Sequence, residues 1–231
     1  MALPLETTDP RHALAADLAR RIRRRWRADV AAIGATGALA HDDDRDGTDV
    51  ALLVVTYRPG AGPQPTRRRI DGQLLHLTVT SQQELLARAR TLTTDWPLHA
   101  DRFLHVRPLD DDANWFAGLR DTHLTRLAEA TPREFSALAR EAWGAAWSLL
   151  TDAVHAGQWH DEDGALLLLA EARIATALTE GLLTRAYFRG PADAARRSGV
   201  AGLDLVEVRD RLERQATELT RRGCPVDAPV L

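Results

Sequence analysis

The chain has 231 residues, of which 45% are hydrophobic and 27% are charged, so it can form one large domain or two modest ones. A formal net charge of −3 argues against a general nucleic-acid binder, and a single cysteine, Cys224, excludes an internal disulfide or a cysteine metal cluster. The sequence shows no apolar run of membrane-spanning length and no basic-then-apolar leader. We therefore expect a cytoplasmic protein without a nucleic-acid or membrane partner.

The first predicted element is a helix over residues 10–27, where apolar side chains recur every four residues. The same segment carries a run of arginines. This run is either a binding patch for a phosphate or a protein partner or, as charge runs usually are, a solvated helix face. The arginines are Arg20, Arg21, Arg23, Arg24, Arg25 and Arg27.

Runs of β-branched and apolar residues then predict strands over residues 30–33, 48–55 and 70–80. An aspartate-rich turn separates the first two strands, and a Pro/Gly loop over residues 58–65 separates the second from the third. Two strands around such a loop suggest a β-hairpin.

Ser81, followed three residues later by Glu84, has the spacing of a capping box and predicts a helix that continues to about residue 90. A further strand is expected over residues 103–109, and the periodicity after it is helical. The long helices are expected over residues 132–155, 163–188 and 203–222. We predict an α+β protein, with a mixed sheet of about five strands in residues 1–115 and an all-helical bundle in residues 116–231.

Residues 34–51 carry the chemical signal. Gly34 and Ala35 end a strand with small side chains, which allow backbone N–H groups to approach a phosphate. Asp49 begins the next strand and offers a carboxylate to a magnesium ion on the same phosphates. Taken alone, the pattern is also that of an ordinary strand–turn–strand unit.

A more specific segment follows, Thr94-Asp95-Trp96-Pro97-Leu98-His99-Ala100-Asp101-Arg102-Phe103, with Leu109-Asp110 after it. The Gly34 turn, the strand at Thr48-Asp49-Val50 and the helix at Ser81 fall at matching spacing. In these features the sequence resembles the kanamycin nucleotidyltransferase family, also described as aminoglycoside 4′-O-nucleotidyltransferases. The resemblance implies a nucleotidyltransferase-type sheet domain, Mg-ATP-dependent adenylyl transfer to an aminoglycoside hydroxyl, and a homodimer with active sites near the subunit interface.

The resemblance assigns cofactor binding to Gly34, Ala35 and Thr48, and it assigns the first metal carboxylate to Asp49. The family has a serine at the position of Ala35, so a hydroxyl contact to phosphate is lost. Its second metal carboxylate falls at Ala51, which shares a strand face with Asp49 because the two residues are two positions apart.

The family's third metal carboxylate falls at His76, in a register that the spacing from Gly72 onward fixes without gaps. Its catalytic base best matches Glu141, and the lysine four residues later falls at Ala145. Under the alternative readings, His76 is a partly buried structural histidine and Glu141 is a helix-surface carboxylate paired with an arginine.

With two of three carboxylates replaced, Asp49 is the only remaining metal ligand and the magnesium site is poor. Carboxylates that could compensate lie in the preceding turn, at Asp42, Asp43, Asp44 and Asp46. We expect a repurposed or inactive relative that needs no cofactor, in which Asp49, His76 and Glu141 bind a small polar molecule between the two domains or perform acid–base chemistry. The alternatives are an active Mg-ATP-dependent adenylyltransferase with an unusual metal site and a structural or interaction protein.

Overall fold

The computed structural model describes residues 10–42, 49–70 and 72–226. The chain divides into two compact units. The first runs to Thr91 and includes residues 102–127, and the second comprises residues 92–101 and the chain from Ala128 onward. The units are therefore interleaved in sequence, whereas the sequence predicts a single domain boundary after residue 115. None of the described helices has the length and apolarity needed to cross a bilayer.

The first unit contains a five-stranded mixed sheet with helices on both faces, which confirms the predicted α+β class. Its main elements are α1 (Pro10–Arg25), β1 (Val30–Thr36), β2 (Val50–Thr56), β3 (Thr66–Ile70), β4 (Gln73–Ser81), α2 (Gln82–Ala89), β5 (Arg107–Asp110) and α5 (Trp115–Glu129). Two short helices, α3 (Trp96–His99) and α4 (Asp101–Leu104), lie between α2 and β5 in the chain.

The strand order is β3-β4-β2-β1-β5, with β2 and β4 parallel and the other neighbours antiparallel. The hairpin expected around the Pro/Gly loop is therefore wrong, because β2 and the strand after residue 70 run in the same direction. The hairpin joins β3 to β4 through a tight turn at Gly72, whose φ is +80°. The sequence of β3, Thr-Arg-Arg-Arg-Ile, suits an edge strand, and the more apolar β4 takes the interior position.

Alternate residues of the central strands form two apolar layers. On one face, β2 presents Val50, Leu52 and Val54 to a core that includes Ala15, Ala19 and Ile22 of α1. On the other face, Leu53 and Val55 pack with residues of α2 and α5, among them Leu85, Ala89, Phe116 and Leu119. The sheet therefore has an α1 face and an α2/α5 face, and neighbouring residues of one strand belong to different faces.

The capping box at the start of α2 is confirmed, since the Ser81 side chain accepts from the Glu84 amide and the Glu84 carboxylate accepts from the Ser81 amide. The strand predicted over residues 103–109 is wrong in its first half, because Asp101–Leu104 is a short helix and β5 begins only at Arg107. Phe103 is buried in the core of the α2/α5 face, so its apolar side chain fits either secondary structure. Pro108 lies on an edge strand, as predicted.

The described main elements of the second unit are helical: α6 (Pro132–Gln158), α7 (Glu162–Thr184), α8 (Pro191–Arg197) and α9 (Leu205–Arg221). Thr131 caps α6 by accepting a hydrogen bond from the Glu134 amide. Trp143 and Trp147 are buried and stacked, with ring centroids 5.1 Å apart, and the Trp143 Nε1 group donates to the Leu212 carbonyl at 2.8 Å. These two tryptophans therefore belong to the core of the helical unit.

Candidate functional site

The parallel register of β2 and β4 places Ala51 directly beside His76. Asp49 precedes β2, two residues before Ala51, and its Oδ2 atom lies 4.0 Å from His76 Nδ1. The side chains of His76 and Asp49 are 50% and 34% exposed, so both are open to a ligand from solvent. Within the sheet unit, the structure therefore brings together the residues that the sequence analysis matched to the metal site.

Arg67, which was not singled out from the sequence, is a neighbour of these three residues. Arg67 of β3 is the antiparallel partner of His76, and directly opposed residues project from the same sheet face. Its side chain is exposed. Arg67, His76 and Ala51 therefore form one row across three strands. The signal in the sequence was the run of three arginines in Thr-Arg-Arg-Arg-Ile, but only the β3–β4 register shows that Arg67 lies opposite His76.

These residues do not fit a magnesium ion. Mg²⁺ requires hard oxygen ligands in near-octahedral geometry, and the three matched positions supply one carboxylate, one methyl group and one imidazole. The guanidinium of Arg67 beside His76 adds a positive charge to the row, which further disfavours a dication. The Arg67 guanidinium can bind an anionic group on a ligand.

Gly34 has a packing role in the structure. A Cβ at this position would lie 2.3 Å from Val106 Cγ1 and 3.0 Å from the ring of Phe116. Ala35 is fully buried and belongs to the core on the α1 face. The close contacts explain why Gly34 has no side chain without invoking a phosphate, so cofactor binding by Gly34 and Ala35 stays a prediction. Thr48 lies outside the described residues.

A second glycine lies nearer to the Asp49–His76 pair. Gly37 starts a 3-10 turn (Gly37–His41) with a φ of +62°, a conformation that L side chains rarely adopt. A Cβ built on Gly37 would lie 4.0 Å from the Cβ of Ala51. This turn therefore borders the row that contains Ala51 and His76.

Among the described residues, the aspartate-rich turn does not bring a further carboxylate to the Asp49–His76 pair. Asp42 forms an ion pair with Arg107, and its Oδ1 atom lies 3.4 Å from His12 Nε2. These contacts hold its carboxylate near β5 and α1. Asp43, Asp44 and Asp46 lie outside the described residues.

Glu141 belongs to the helical unit. It is exposed on α6, next to the buried residues Ala142 and Trp143, and Ala145 one turn later is also exposed. Its position on the solvent side of α6 is compatible with a surface carboxylate or with a ligand contact. Its role as a base stays a prediction.

Comparisons with known proteins give a likeness to solved structures. No protein-family model matches the chain, and no curated protein matches it. Among solved structures, the chain is similar to a nucleotidyltransferase-like protein from Exiguobacterium sibiricum 255-15, with 15% sequence identity and a TM-score of 0.47. The similarity covers 90% of this chain and 78% of that protein.

Proposed function

We propose that this protein is a divergent relative of the kanamycin nucleotidyltransferase family that binds a small polar molecule and has lost nucleotidyl transfer. One observation carries the proposal. Asp49 and the row of Ala51, His76 and Arg67 supply a single carboxylate where the family has three. This arrangement disfavours binding of a magnesium-bound nucleotide, but it can bind a hydroxylated molecule that carries an anionic group.

The available chemistry is acid–base chemistry. The His76 imidazole has two ring nitrogens that can donate or accept a hydrogen bond or a proton. The Asp49 Oδ2 atom lies 4.0 Å from His76 Nδ1, so both side chains can contact the same ligand, and the carboxylate can accept a hydrogen bond from a ligand hydroxyl. Arg67 would bind the anionic group, and Glu141 is proposed as a second carboxylate of the reaction or of the binding site.

Calorimetry with Mg-ATP tests the proposal. The natural protein should bind Mg-ATP weakly or not at all and should adenylylate kanamycin poorly. The double variant Ala51→Glu, His76→Glu places carboxylates at the two matched positions, where they can bind the magnesium ion. It should strengthen Mg-ATP binding about tenfold or more, which corresponds to about 1.4 kcal/mol or more.

The matched control is Thr78→Glu, which adds one carboxylate on the same face of β4, beside Leu53. This variant should leave Mg-ATP binding unchanged. Equal gains in the control and in the double variant would show a general charge effect and would remove the structural basis of the proposal. Rapid adenylyl transfer to kanamycin by the natural protein would establish the alternative, an active O-adenylyltransferase for which Asp49 is the retained metal ligand.

A cytoplasmic homodimer is part of the same proposal. The helical unit leaves large apolar side chains exposed near the α6–α7 connection, with Trp159 83%, Leu166 65% and Leu167 69% exposed. Exposed apolar side chains of this size often mark a protein interface. Light scattering at micromolar concentration should give the mass of a dimer, and Leu166→Glu with Leu167→Glu should give a monomer. A monomeric natural protein would refute this part.

A further inference from the structure

The α1 face of the sheet is only partly covered by its helix. Helix α1 packs mainly against β1, β2 and β5, which lie together at one end of the strand order. The other end, formed by β4 and the edge strand β3, borders a groove of about 800 Å³ between α1 and the sheet. A volume of this size is within the usual range of small-molecule sites, about 300–1,000 Å³.

The floor of the groove is apolar. Helix α1 and the residue after it contribute Leu14, Leu18 and Trp26, and the strands contribute Ile70, Leu75 and Leu77. Four of these side chains, those of Leu14, Leu18, Trp26 and Ile70, are only partly buried although they pack against the core. A ligand with an apolar body would remove this surface from water, which is favourable in proportion to the area covered.

The rim of the groove is cationic. The charged side chains that line it are Arg21, Arg25, Arg68, Arg69 and Asp17. Asp17 is paired with Arg21 at 2.7 Å, and the Arg25 guanidinium lies over the Trp26 ring at 5.2 Å from its centroid. Arg68 has no carboxylate partner among the residues that the structure describes, and it opposes Leu75 on the edge strand. The rim therefore has unneutralised positive charge next to an apolar floor.

We infer that this groove, defined by α1, β3 and β4, is a second binding site and that it takes a free anionic amphiphile. Its ligand has an alkyl or aromatic body for the apolar floor and a carboxylate or phosphate head group for Arg25 and Arg68. The site is separate from the Asp49–His76 row, because Leu75 and His76 are consecutive and project from opposite faces of the sheet. It does not depend on the function proposed for that row.

Calorimetric titration with decanoate, decyl phosphate and uncharged decanol tests the inference, with the two anions kept below their micelle concentrations and decanol below its solubility limit. Decanoate or decyl phosphate should bind with one site per chain, and decanol should bind about tenfold more weakly, a difference of about 1.4 kcal/mol. Comparing the two anions shows which head group the rim prefers. Equal binding of decanol and both anions would overturn the role of the arginines.

Variants locate the site. The double variant Arg25→Gln, Arg68→Gln should weaken anion binding about tenfold and leave decanol unchanged. Arg24→Gln removes an arginine from the same helix that does not line the groove, and it should have no effect. Ile70→Thr keeps the branched shape that suits a strand and should weaken binding of all three compounds.

Two further outcomes would refute the inference. If Arg24→Gln weakens anion binding as much as the double variant does, attraction to the whole arginine-rich helix explains it. If an acidic amphipathic peptide displaces decanoate at lower concentration than decyl phosphate does, the groove belongs to a protein partner. Each variant should have the same thermal unfolding midpoint as the natural protein, which shows that a loss of binding does not come from a loss of folded structure.

Discussion

The two faces of the sheet are built from alternate residues of the same strands, yet they are held to their helices in different ways. On the α1 face, Arg23 donates to both oxygens of Asp110 and to the carbonyls of Val30 and Ala31, which fixes α1 to β1 and β5. The α2/α5 face is held instead by close apolar contact at Gly34 and by a buried histidine on α5. The polar contacts of Arg23, which we call the polar anchor, hold α1 at the β1–β5 end of the sheet and leave space for an open groove at the other end. Close packing near Gly34 leaves little space for a groove on the α2/α5 face.

The largest expected effect is loss of the polar anchor. Arg23→Met removes the hydrogen bonds to Asp110, Val30 and Ala31 while keeping most of the apolar stem. The ion pair is about one-fifth exposed, so we expect the free energy of unfolding to fall by about 3 kcal/mol, near the lower end for buried pairs. Urea denaturation measures it. Arg24→Met, at an exposed position, should change stability little; a similar loss there would mean that helix charge, not the anchor, is responsible.

The next effect concerns the close packing of the α2/α5 face. Gly34→Ala places a Cβ 2.3 Å from Val106 Cγ1, and overpacking of this kind costs about 2 kcal/mol. Adding Val106→Ala should recover part of the loss. Gly118→Ala on α5 is the control, because a Cβ there meets nothing within 4 Å and should stabilise the helix by about 0.5–1 kcal/mol. If Gly34→Ala leaves the urea midpoint unchanged, the close contact is not the reason for the glycine.

The smallest expected effect is a pH dependence of stability that comes from a histidine on the α2/α5 face. His123 of α5 is fully buried, and its Nδ1 atom is hydrogen-bonded to the Ala89 carbonyl at 2.7 Å. Burial lowers the pKa of His123 below its ordinary value of 6.5; the bond to Ala89 opposes this shift, and the charge of Arg126 adds to it. The unfolded state therefore binds the proton more readily, and stability should decrease as the pH falls through about 6.5.

Melting temperatures of the natural protein and of His123→Gln, measured across this pH range, isolate the contribution of one histidine. The difference between the two curves should narrow as the pH falls, because only the natural protein loses this stabilisation. Parallel curves would contradict the prediction. Arg23→Met on the α1 face should leave the pH dependence unaltered, which separates the two faces experimentally.

Local sequence signals located most of the elements. Ser81 with Glu84 marks a helix start through a reciprocal capping box, and Thr131 before Pro132 marks another, because these groups satisfy helix-end amides within a few residues. The α+β class follows from such patterns. The strand predicted over residues 103–109 wrongly included the last two residues of the short helix Asp101–Leu104, since a short apolar segment fits either structure.

The sequence by itself predicted that Asp49 and Ala51 project to the same side, because side chains alternate along a strand, and that the three positions compared with a magnesium site offer one carboxylate. Only the tertiary structure decided that β4 pairs in parallel with β2, which places His76 beside Ala51, and that β3 brings Arg67 into the same row. It also decided that residue 34 must be a glycine, because the Val106 side chain occupies the space that a Cβ would need. Strand pairing and packing depend on residues far apart in the chain, and no local pattern specifies which of several possible partners a strand will take.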